Sequence, residues 1–268
     1  MRLRHAAGWL AAAGLVLATA AAKPRARGFD LSTAHVVDLT HPFDAETLYW
    51  PTSPSAFELK VLSAGPTPGG WYYAANTFCA PEHGGTHLDA PHHFSEQGDT
   101  CDRIPLSRLV ARAVVLDVRE RTAGDPDYRL RVADIEAWEK ENGRIPEGAI
   151  ALLRTGWSMR WPDRKRYLGD DLPGDASNLH FPSFGEDAAR FLISRRKVAA
   201  IGLDTASIDY GPSKDFAVHR VAGAGNVPAF ENVANLERVP ATGAWVVALP
   251  MKIAGVSGGP LRIVALVP

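Results

Sequence analysis

Several residue types on which common binding sites depend are scarce in this sequence. Only two of its 268 residues are cysteines, Cys79 and Cys101, and the absence of any C-x-x-C pair excludes the usual thiolate zinc sites. The formal charge at pH 7 is −1, so no excess of positive charge attracts a phosphate backbone. Internal repeats, low-complexity tracts and an interdomain linker after Ser32 are also lacking. We therefore predict one domain that does not bind nucleic acid.

The first 22 residues have the features of a secretory signal peptide. Arg2 and Arg4 precede an alanine- and leucine-rich run at 6–22, and small residues near its end offer a cleavage site. An uncleaved anchor is the alternative, although the run is barely long enough to cross a bilayer. Cleavage would remove both arginines and shift the formal charge from −1 to −3. We expect a periplasmic or secreted protein that does not bind membranes after cleavage. Its parts would be a signal peptide at 1–22, a flexible segment at 23–32 and a domain at 33–268.

The two cysteines leave one question open. They flank a histidine-rich stretch, and export would bring them into an oxidising compartment, where a disulfide could hold that stretch. Two separate buried thiols are the equal alternative, because sequence spacing does not show how far apart the side chains lie.

Short apolar runs between glycine- and proline-rich turns predict an α/β protein. With 46% hydrophobic residues, the chain can bury a substantial core. Val132–Asn142 has helical spacing and ends before a glycine, and short links between helices and strands favour a layered arrangement. Strands are predicted at 36–39, 71–78, 113–118, 149–154, 198–203, 245–250 and 261–267.

Two expectations concern the middle of the chain. Residues 161–179 are polar, acidic and interrupted by glycine, which predicts an excursion on the surface, and His180 is accordingly interpreted as exposed. Ser183 and Glu186 have the spacing of a capping box. They precede an apolar segment that ends in three basic residues, so we predict a helix there.

The stretch at 83–93, H-G-G-T-H-L-D-A-P-H-H, contains four of the nine histidines. His87 and Asp89 are two residues apart, so in an extended segment both side chains leave the same face and can meet one ion. The glycine pair before them disfavours a helix and allows a turn that returns His83 to the same place. These features predict a metal site, and the alternative is a polar loop with surface histidines.

The ligand types indicate which ions such a site would hold. Imidazole and carboxylate suit zinc, manganese or iron, and the carboxylates are too few for a calcium cage. After the stretch at 83–93, only His180 and His219 remain among the histidines. His219 lies 12 residues before Glu231, whose carboxylate falls in an apolar segment where a metal or another partner would offset the cost of burying it. His219 and Glu231 are therefore the distal ligand candidates.

A second pattern, Gly255-Val-Ser257-Gly-Gly259, matches the G-x-S-x-G of serine hydrolases. In that fold the triad histidine follows the serine, and no histidine follows His219. We interpret the segment as a glycine-rich turn between two strands.

The stretch at 83–93 resembles the H-x-G-T-H-x-D-x-P-x-H signature of the metal-dependent cyclase family, which includes bacterial kynurenine formamidases and isatin hydrolases. Every fixed position of that signature is filled. Further agreement extends along nearly all of the chain after the signal peptide. It includes D-L-T at 38–40, W-P at 50–51, L-R-T-G-W at 153–157, G-L-D-T-A-S at 202–207, His219, E-N-V-A-N-L at 231–236 and L-P-M-K at 249–252.

The resemblance implies a fold and an assignment of site residues. The fold would be a single swivelling β/α/β-type domain with a barrel-like mixed sheet, in a homodimer or larger homo-oligomer. The metal ligands would be His83, His87, Asp89, His219 and Glu231, holding one or two ions of Mn²⁺ or Zn²⁺. His93 would donate and accept the proton during catalysis. Trp50 would line the substrate pocket, and Trp71 and Phe230 are our further aromatic candidates for substrate contact.

The expected activity is hydrolysis of an amide in a small aromatic molecule, with a cyclic amide of the isatin type as the specific expectation. Hydrolysis of N-formylkynurenine is the alternative, although an exported enzyme would miss a substrate that is normally formed in the cytoplasm. An exported metal-binding protein without catalysis is the alternative of another class. It would have no use for His93 or for an aromatic pocket.

Overall fold

The computed structural model describes residue 30 and residues 32–268. The predicted signal peptide at 1–22, and nearly all of the predicted flexible segment at 23–32, lie outside the described residues. Across the described part of the chain, no helix combines the length and the apolar character needed to cross a membrane.

The described residues form twelve strands and six helices, together with three short 3-10 helices at Pro91–His93, Trp157–Arg160 and Leu236–Arg238. The elements in chain order are β1 (His35–Asp38), β2 (Glu58–Pro66), β3 (Tyr72–Cys79), β4 (His87–Asp89), α1 (Leu106–Leu109), β5 (Val110–Asp117), α2 (Arg119–Thr122), β6 (Arg129–Leu130), α3 (Val132–Asn142), β7 (Ile150–Arg154), α4 (Arg164–Leu168), β8 (Ser183–Phe184), α5 (Glu186–Arg195), β9 (Ala200–Leu203), α6 (Ala217–Ala224), β10 (Ala229–Glu231), β11 (Trp245–Pro250) and β12 (Gly258–Val267).

Seven strands close into a mixed barrel, which confirms the predicted α/β class and barrel-like sheet. The strand order is β1-β12-β11-β5-β7-β9-β10-β4, and a further pairing of β12 with β4 closes the ring while β1 extends it at one side. Strands β5, β7 and β9 are parallel neighbours. Their residues are nearly all buried because the sheet is covered on both faces, which explains their continuous apolar sequences.

Alternate residues of these strands enter two different cores. Val115 and Leu152 belong to a cluster to which the strands of the ring contribute, inside the barrel. Val114 and Leu153 face outward into a second cluster with residues of α3 and α5. The two-residue period of a strand makes this division. Helix α3 has the predicted bounds, and so has strand β11.

The prediction of a surface excursion at 161–179 holds for most of the segment, including 171–175 and 177–178, but is wrong for three apolar side chains. Tyr167, Leu168 and Leu179 are buried, and they form a third cluster together with Trp157 and Phe181. The residues around these three are mostly exposed, so average polarity described the segment correctly but hid its few buried side chains. His180, by contrast, is partly exposed and pairs with Asp127, in keeping with its interpretation as a surface residue.

The predicted helix after residue 183 is present, but its predicted capping box is wrong. Helix α5 begins at Glu186, and the residue before it, Gly185, provides no side-chain cap. Ser183 instead lies in β8, where its hydroxyl donates to the backbone oxygen of Ser207. The structure also leaves both cysteines free, with Cys79 exposed and Cys101 buried.

Strands β2 and β3 form a separate antiparallel hairpin. Only β3 was expected from the sequence. Most side chains of the hairpin are exposed, including large apolar ones. They are Leu59, Val61, Leu62, Trp71, Tyr72, Tyr73 and Phe78. An apolar surface of this size on a hairpin is typical of a protein contact.

Candidate metal centre

Strand register brings the local and distal metal candidates together. Strand β4 pairs antiparallel with β10, and Glu231 lies directly opposite His87. Residues directly opposite each other point to the same face of the sheet, and so do His87 and Asp89, which are two apart on β4. His219 reaches the same place from helix α6, where it is buried.

The turn before β4 depends on its two glycines. Gly85 has a φ of 58°, a left-handed conformation that glycine adopts without strain. A Cβ at Gly84 would collide with the ring of Tyr49, so the aromatic ring can lie against the loop only because that position has no side chain. The turn returns His83 to Asp89, with 2.6 Å between His83 Nδ1 and Asp89 Oδ1.

Asp89 is the centre of the resulting cluster. Its Oδ1 also lies 3.1 Å from His87 Nε2, and its Oδ2 lies 3.2 Å from His219 Nε2. Glu231 completes the group, with Oε1 3.3 Å from His219 Nε2 and Oε2 3.5 Å from His87 Nε2. All five metal candidates from the sequence are therefore in one place.

Hydrogen bonds on the outer side of two imidazoles decide which nitrogen of each carries a proton. His87 Nδ1 lies 2.9 Å from the backbone oxygen of Gly85, which can only accept, so His87 donates from Nδ1. His219 Nδ1 lies 2.7 Å from Asp209 Oδ2, which accepts in the same way. In the neutral imidazoles, both Nε2 lone pairs then point at the carboxylates of Asp89 and Glu231.

Lone pairs that face carboxylates need a positive charge between them. His87 Nε2 is buried and has no hydrogen-bond partner, although Asp89 and Glu231 are close. A proton at that nitrogen would lack an aligned acceptor, whereas a cation needs only the lone pair. The residues therefore fit a metal ion held by imidazole and carboxylate, the ligands that zinc and manganese accept.

The electrostatics of the cluster lead to the same conclusion. Burial lowers the pKa of His87, but the carboxylates of Asp89 and Glu231 outweigh burial and raise it to about 9. The pKa of His219 also lies well above its usual value, because hydrogen bonds to Asp209, Asp89 and Glu231 outweigh burial. The pKa of Glu231 is raised, first by burial and then by the charge of Asp89. The carboxylates thus draw positive charge into the cluster, and a divalent cation would replace the protons.

The ligand atoms fall into two overlapping groups that could each hold an ion. In each group, the ligand atoms all lie within 4.8 Å of one another: His83, His87 and Asp89 form one group, and Asp89, His93 and His219 form the other. Asp89 belongs to both. The structure thus places His93 within reach of an ion as well as beside the cavity.

His93 also has the surroundings of a proton carrier. Its ring stacks on that of His83 at a centroid distance of 3.7 Å. The pKa of His93 is lowered to about 4, mainly by burial; Asp89 opposes this effect, and the neighbouring histidines add to it. The imidazole is consequently neutral near pH 7, with one nitrogen able to accept a proton and the other able to donate one.

A cavity of about 380 Å³ opens onto the cluster, with His83, His87, Asp89, His93, His219 and Glu231 in its wall. The opposite wall is mainly apolar and includes Trp50, Phe94 and Phe216. Phe94 and Phe216 contact each other and His219. The cavity lies within the usual size range of small-molecule sites.

The structure places only one of the three aromatic substrate candidates in this cavity. Trp50 lines it. Phe230 is fully buried in the barrel core, because it lies between Ala229 and Glu231 on β10 and its side chain points to the opposite face. Trp71 is 64% exposed next to the turn of the β2–β3 hairpin. Neither Phe230 nor Trp71 is among the residues that line the cavity within the chain. The burial of Phe230 corrects the expectation for that residue, and substrate contact by Trp71 stays a prediction.

Several residues that support the site were not found from the sequence. Asp209 accepts from the backbone nitrogens of Val218 and His219 as well as from the imidazole, so it holds the start of α6 and orients His219. Asn232 donates to the same Gly85 oxygen that accepts from His87. Asn232 and Gly85 are 147 residues apart, and the contact of Asp209 with α6 depends on the fold of the loop between them, so no local pattern marks either residue.

Comparisons with known proteins agree with this geometry. Residues 37–210 match the model of the family described as "Putative cyclase". An isatin hydrolase from Roseibium aggregatum is 35% identical over 207 residues, which cover 74% of this chain and 77% of that protein. A kynurenine formamidase from Sphingopyxis alaskensis is 28% identical over 235 residues, covering 86% of this chain and 97% of that protein.

A solved structure is similar over most of the chain. Isatin hydrolase A from Ralstonia solanacearum gives a TM-score of 0.80 at 33% identity, covering 88% of this chain and 93% of that chain. The similarity therefore extends over both the barrel and the site.

Proposed function

From the premise that the chain belongs to the cyclase family, we propose that it is a metal-dependent hydrolase that opens the amide bond of a small cyclic aromatic amide of the isatin type. The observation that carries the proposal is the junction of the histidine–carboxylate cluster with an aromatic cavity. A protein that only stores metal would need the cluster but not the aromatic cavity.

The cavity wall suits a flat aromatic substrate. Trp50, Phe94 and Phe216 supply aromatic rings that a bicyclic amide can contact, and its size admits a molecule of that class. A substrate bound there would lie beside Asp89 and His93, which line the same cavity. The named activity of the isatin hydrolase relatives favours a cyclic amide over other aromatic amides.

The chain's own residues account for the proton transfers of amide hydrolysis. A bound divalent cation would polarise the carbonyl and lower the pKa of water from about 15.7 towards about 7. The oxygen of water bonds to the carbonyl carbon, the carbon–nitrogen bond breaks, and the nitrogen must gain a proton. Neutral His93 can accept the proton of water on one ring nitrogen and deliver it to the departing nitrogen. His87, His219 and their partners hold the carboxylates in place.

The decisive experiment compares substrates on protein stripped of metal by a chelator. We expect no hydrolysis of isatin by the stripped protein, and restored hydrolysis after addition of Mn²⁺ or Zn²⁺. N-Formylkynurenine is assayed in parallel, because the formamidase relative makes it the second candidate. Faster restored turnover of N-formylkynurenine would favour that alternative, and turnover of neither would overturn both.

We propose Mn²⁺ or Zn²⁺ as the ion, in one or two copies per chain. Imidazole and carboxylate ligands suit both metals. The two ligand groups that share Asp89 support a capacity for two. Metal analysis of protein purified without added metal decides the identity and number.

We further propose that the chain forms a homodimer or larger homo-oligomer through the β2–β3 hairpin. The exposed apolar side chains of the hairpin support this, because so many of them on one element are costly in water. Changing both Val61 and Tyr72 to aspartate should convert the oligomer to monomers, as measured by sedimentation. The same change at Leu172, which is exposed elsewhere, is the control and should leave the mass unaltered. A monomeric unmodified protein at micromolar concentration would contradict the proposal.

We also propose that the protein is exported to the periplasm or secreted, with residues 1–22 removed. The support is the basic, apolar and small-residue order of that segment. The N-terminal sequence of the protein recovered from its native host tests this, and an N-terminus at Met1 would contradict it.

A further inference from the structure

The serine of the G-x-S-x-G pattern does not lie in an isolated turn. Ser257 immediately precedes strand β12, and its Oγ lies 3.0 Å from Nε2 of His83. The same hydroxyl donates to Oε2 of Glu82 at 2.6 Å, and the backbone nitrogen of Ser257 donates to that oxygen at 2.8 Å. Glu82, Ser257 and His83 therefore form a chain of hydrogen bonds that ends at Asp89.

Counting protons along this chain fixes the role of each atom. A serine hydroxyl has one proton, and Ser257 donates it to the carboxylate of Glu82, which can only accept. Ser257 Oγ must then accept from His83, so His83 carries its proton on Nε2. Nδ1 of the ring then faces Asp89 Oδ1 at 2.6 Å, and a metal ion bound there would take the place of a proton on Nδ1. This excludes Ser257 as a nucleophile activated by His83, because its proton points away from the imidazole.

Backbone pairing holds the serine in this position. Strand β12 pairs with β4, where Gly258 lies opposite Asp89, and Ala90 donates to the backbone oxygen of Ser257. A Cβ at Gly258 would collide with the ring of His83 and would lie 2.7 Å from the backbone oxygen of Leu88. The glycine thus lets the imidazole lie against the start of β12, within reach of the hydroxyl.

His83 is the ligand that most needs such support. Its side chain is 26% exposed, whereas that of His87 is 3% exposed. His87 and His219 are also held by a backbone oxygen and a buried carboxylate. Ser257 and Glu82 provide the corresponding support for His83.

We propose that Ser257 and Glu82 are positioning residues that select the metal-binding tautomer of His83 and orient its ring. This inference rests on the proposed metal-dependent function, since it concerns a ligand of that site. Partners on the outer side of a metal-binding histidine raise its basicity and fix its orientation, and their loss weakens metal binding by about 10-fold to 100-fold.

The test measures Zn²⁺ affinity by competition with a chelating dye. Ser257→Ala should weaken binding by about 10-fold to 100-fold, and Ser257→Thr, which keeps the hydroxyl, should restore most of it. Glu82→Gln keeps an acceptor for both donors of Ser257 but removes the charge. Its Zn²⁺ affinity should therefore fall less than that of Ser257→Ala. Ser194→Ala and Glu147→Gln change exposed residues with partners outside the cluster and should leave the affinity unaltered. Thermal unfolding shows whether each variant is folded.

A second readout reports the tautomer directly. In Zn²⁺-loaded protein with ¹⁵N-labelled histidine, the Nε2 proton of His83 should be observed by NMR in the unmodified protein. It should exchange rapidly with water in Ser257→Ala, because its acceptor is gone. Turnover does not enter either measurement.

The outcomes separate this inference from the proposed function. Unaltered Zn²⁺ affinity and an unaltered Nε2 proton in Ser257→Ala would overturn the positioning role and leave the proposed activity intact. Loss of affinity in a protein that hydrolyses neither substrate would support the positioning role and overturn the proposed activity. An unmodified protein that binds no metal overturns both.

Discussion

Replacing Asp89 by asparagine should weaken metal binding by at least about 100-fold, beyond the usual effect of residues that only support a ligand, and should abolish hydrolysis. Asp89 is the one carboxylate shared by both ligand groups, and its two oxygens face different histidines. Asparagine keeps the shape of the side chain but removes the charge, so each group loses its anionic ligand. Metal content after dialysis and turnover of isatin measure the effect.

A matched control is available for the charge change. Asp171→Asn removes a carboxylate from an exposed segment and should leave metal content and turnover unaltered. Circular dichroism shows whether Asp89→Asn is folded. A folded Asp89→Asn protein that keeps its full metal content would contradict the assignment of Asp89 as the shared ligand.

Replacing His93 by glutamine should lower kcat by about 10² to 10⁴, the usual contribution of a group that moves a proton in the transition state. KM and metal content should change little, because glutamine fills much the same space and the other ligand candidates remain. His93 lies both beside the cavity and within one of the ligand groups, so it could act as a proton carrier or as a metal ligand. Steady-state kinetics and metal analysis of the same preparation decide between the two roles.

Each deviation from that result has a defined meaning. Loss of one metal equivalent from His93→Gln would identify His93 as a ligand, and unchanged kcat would exclude it as the proton carrier. His180→Gln removes a histidine that is paired with Asp127 on the surface and should leave kcat and metal content unaltered.

The barrel strands were predictable because their sequences are nearly continuous apolar runs bounded by turn residues. Strands buried on both faces give that pattern, and β11 was placed at its observed bounds. The error within 161–179, at Tyr167 and Leu168, has the opposite cause. Tyr167 and Leu168 are buried next to charged neighbours, and a short helix exposes those neighbours on its other side. Average polarity cannot distinguish such a unit from a solvated loop.

The candidate site also contains residues that local sequence patterns predict and residues that they do not. His83, His87 and Asp89 were found from spacing alone, because a turn and a strand place them together locally. His219 and Glu231 were candidates from the scarcity of later histidines and the apolar setting of the carboxylate, and the family resemblance supported them. His219 meets Asp89 across 130 residues of chain. The residues that orient the ligands, Asp209 and Ser257, escaped prediction because their role depends on which strands become neighbours in the barrel.

Closure of the barrel has a consequence for the choice of metal. Strand β4 has only three residues, yet it is paired with β10 on one side and with β12 on the other. A strand tied on both sides has little freedom to open or contract around an ion. Such pairing keeps His87 and Asp89 at a fixed separation, and because proteins discriminate between divalent metals largely by geometry and ligand type, ions that suit that separation are favoured.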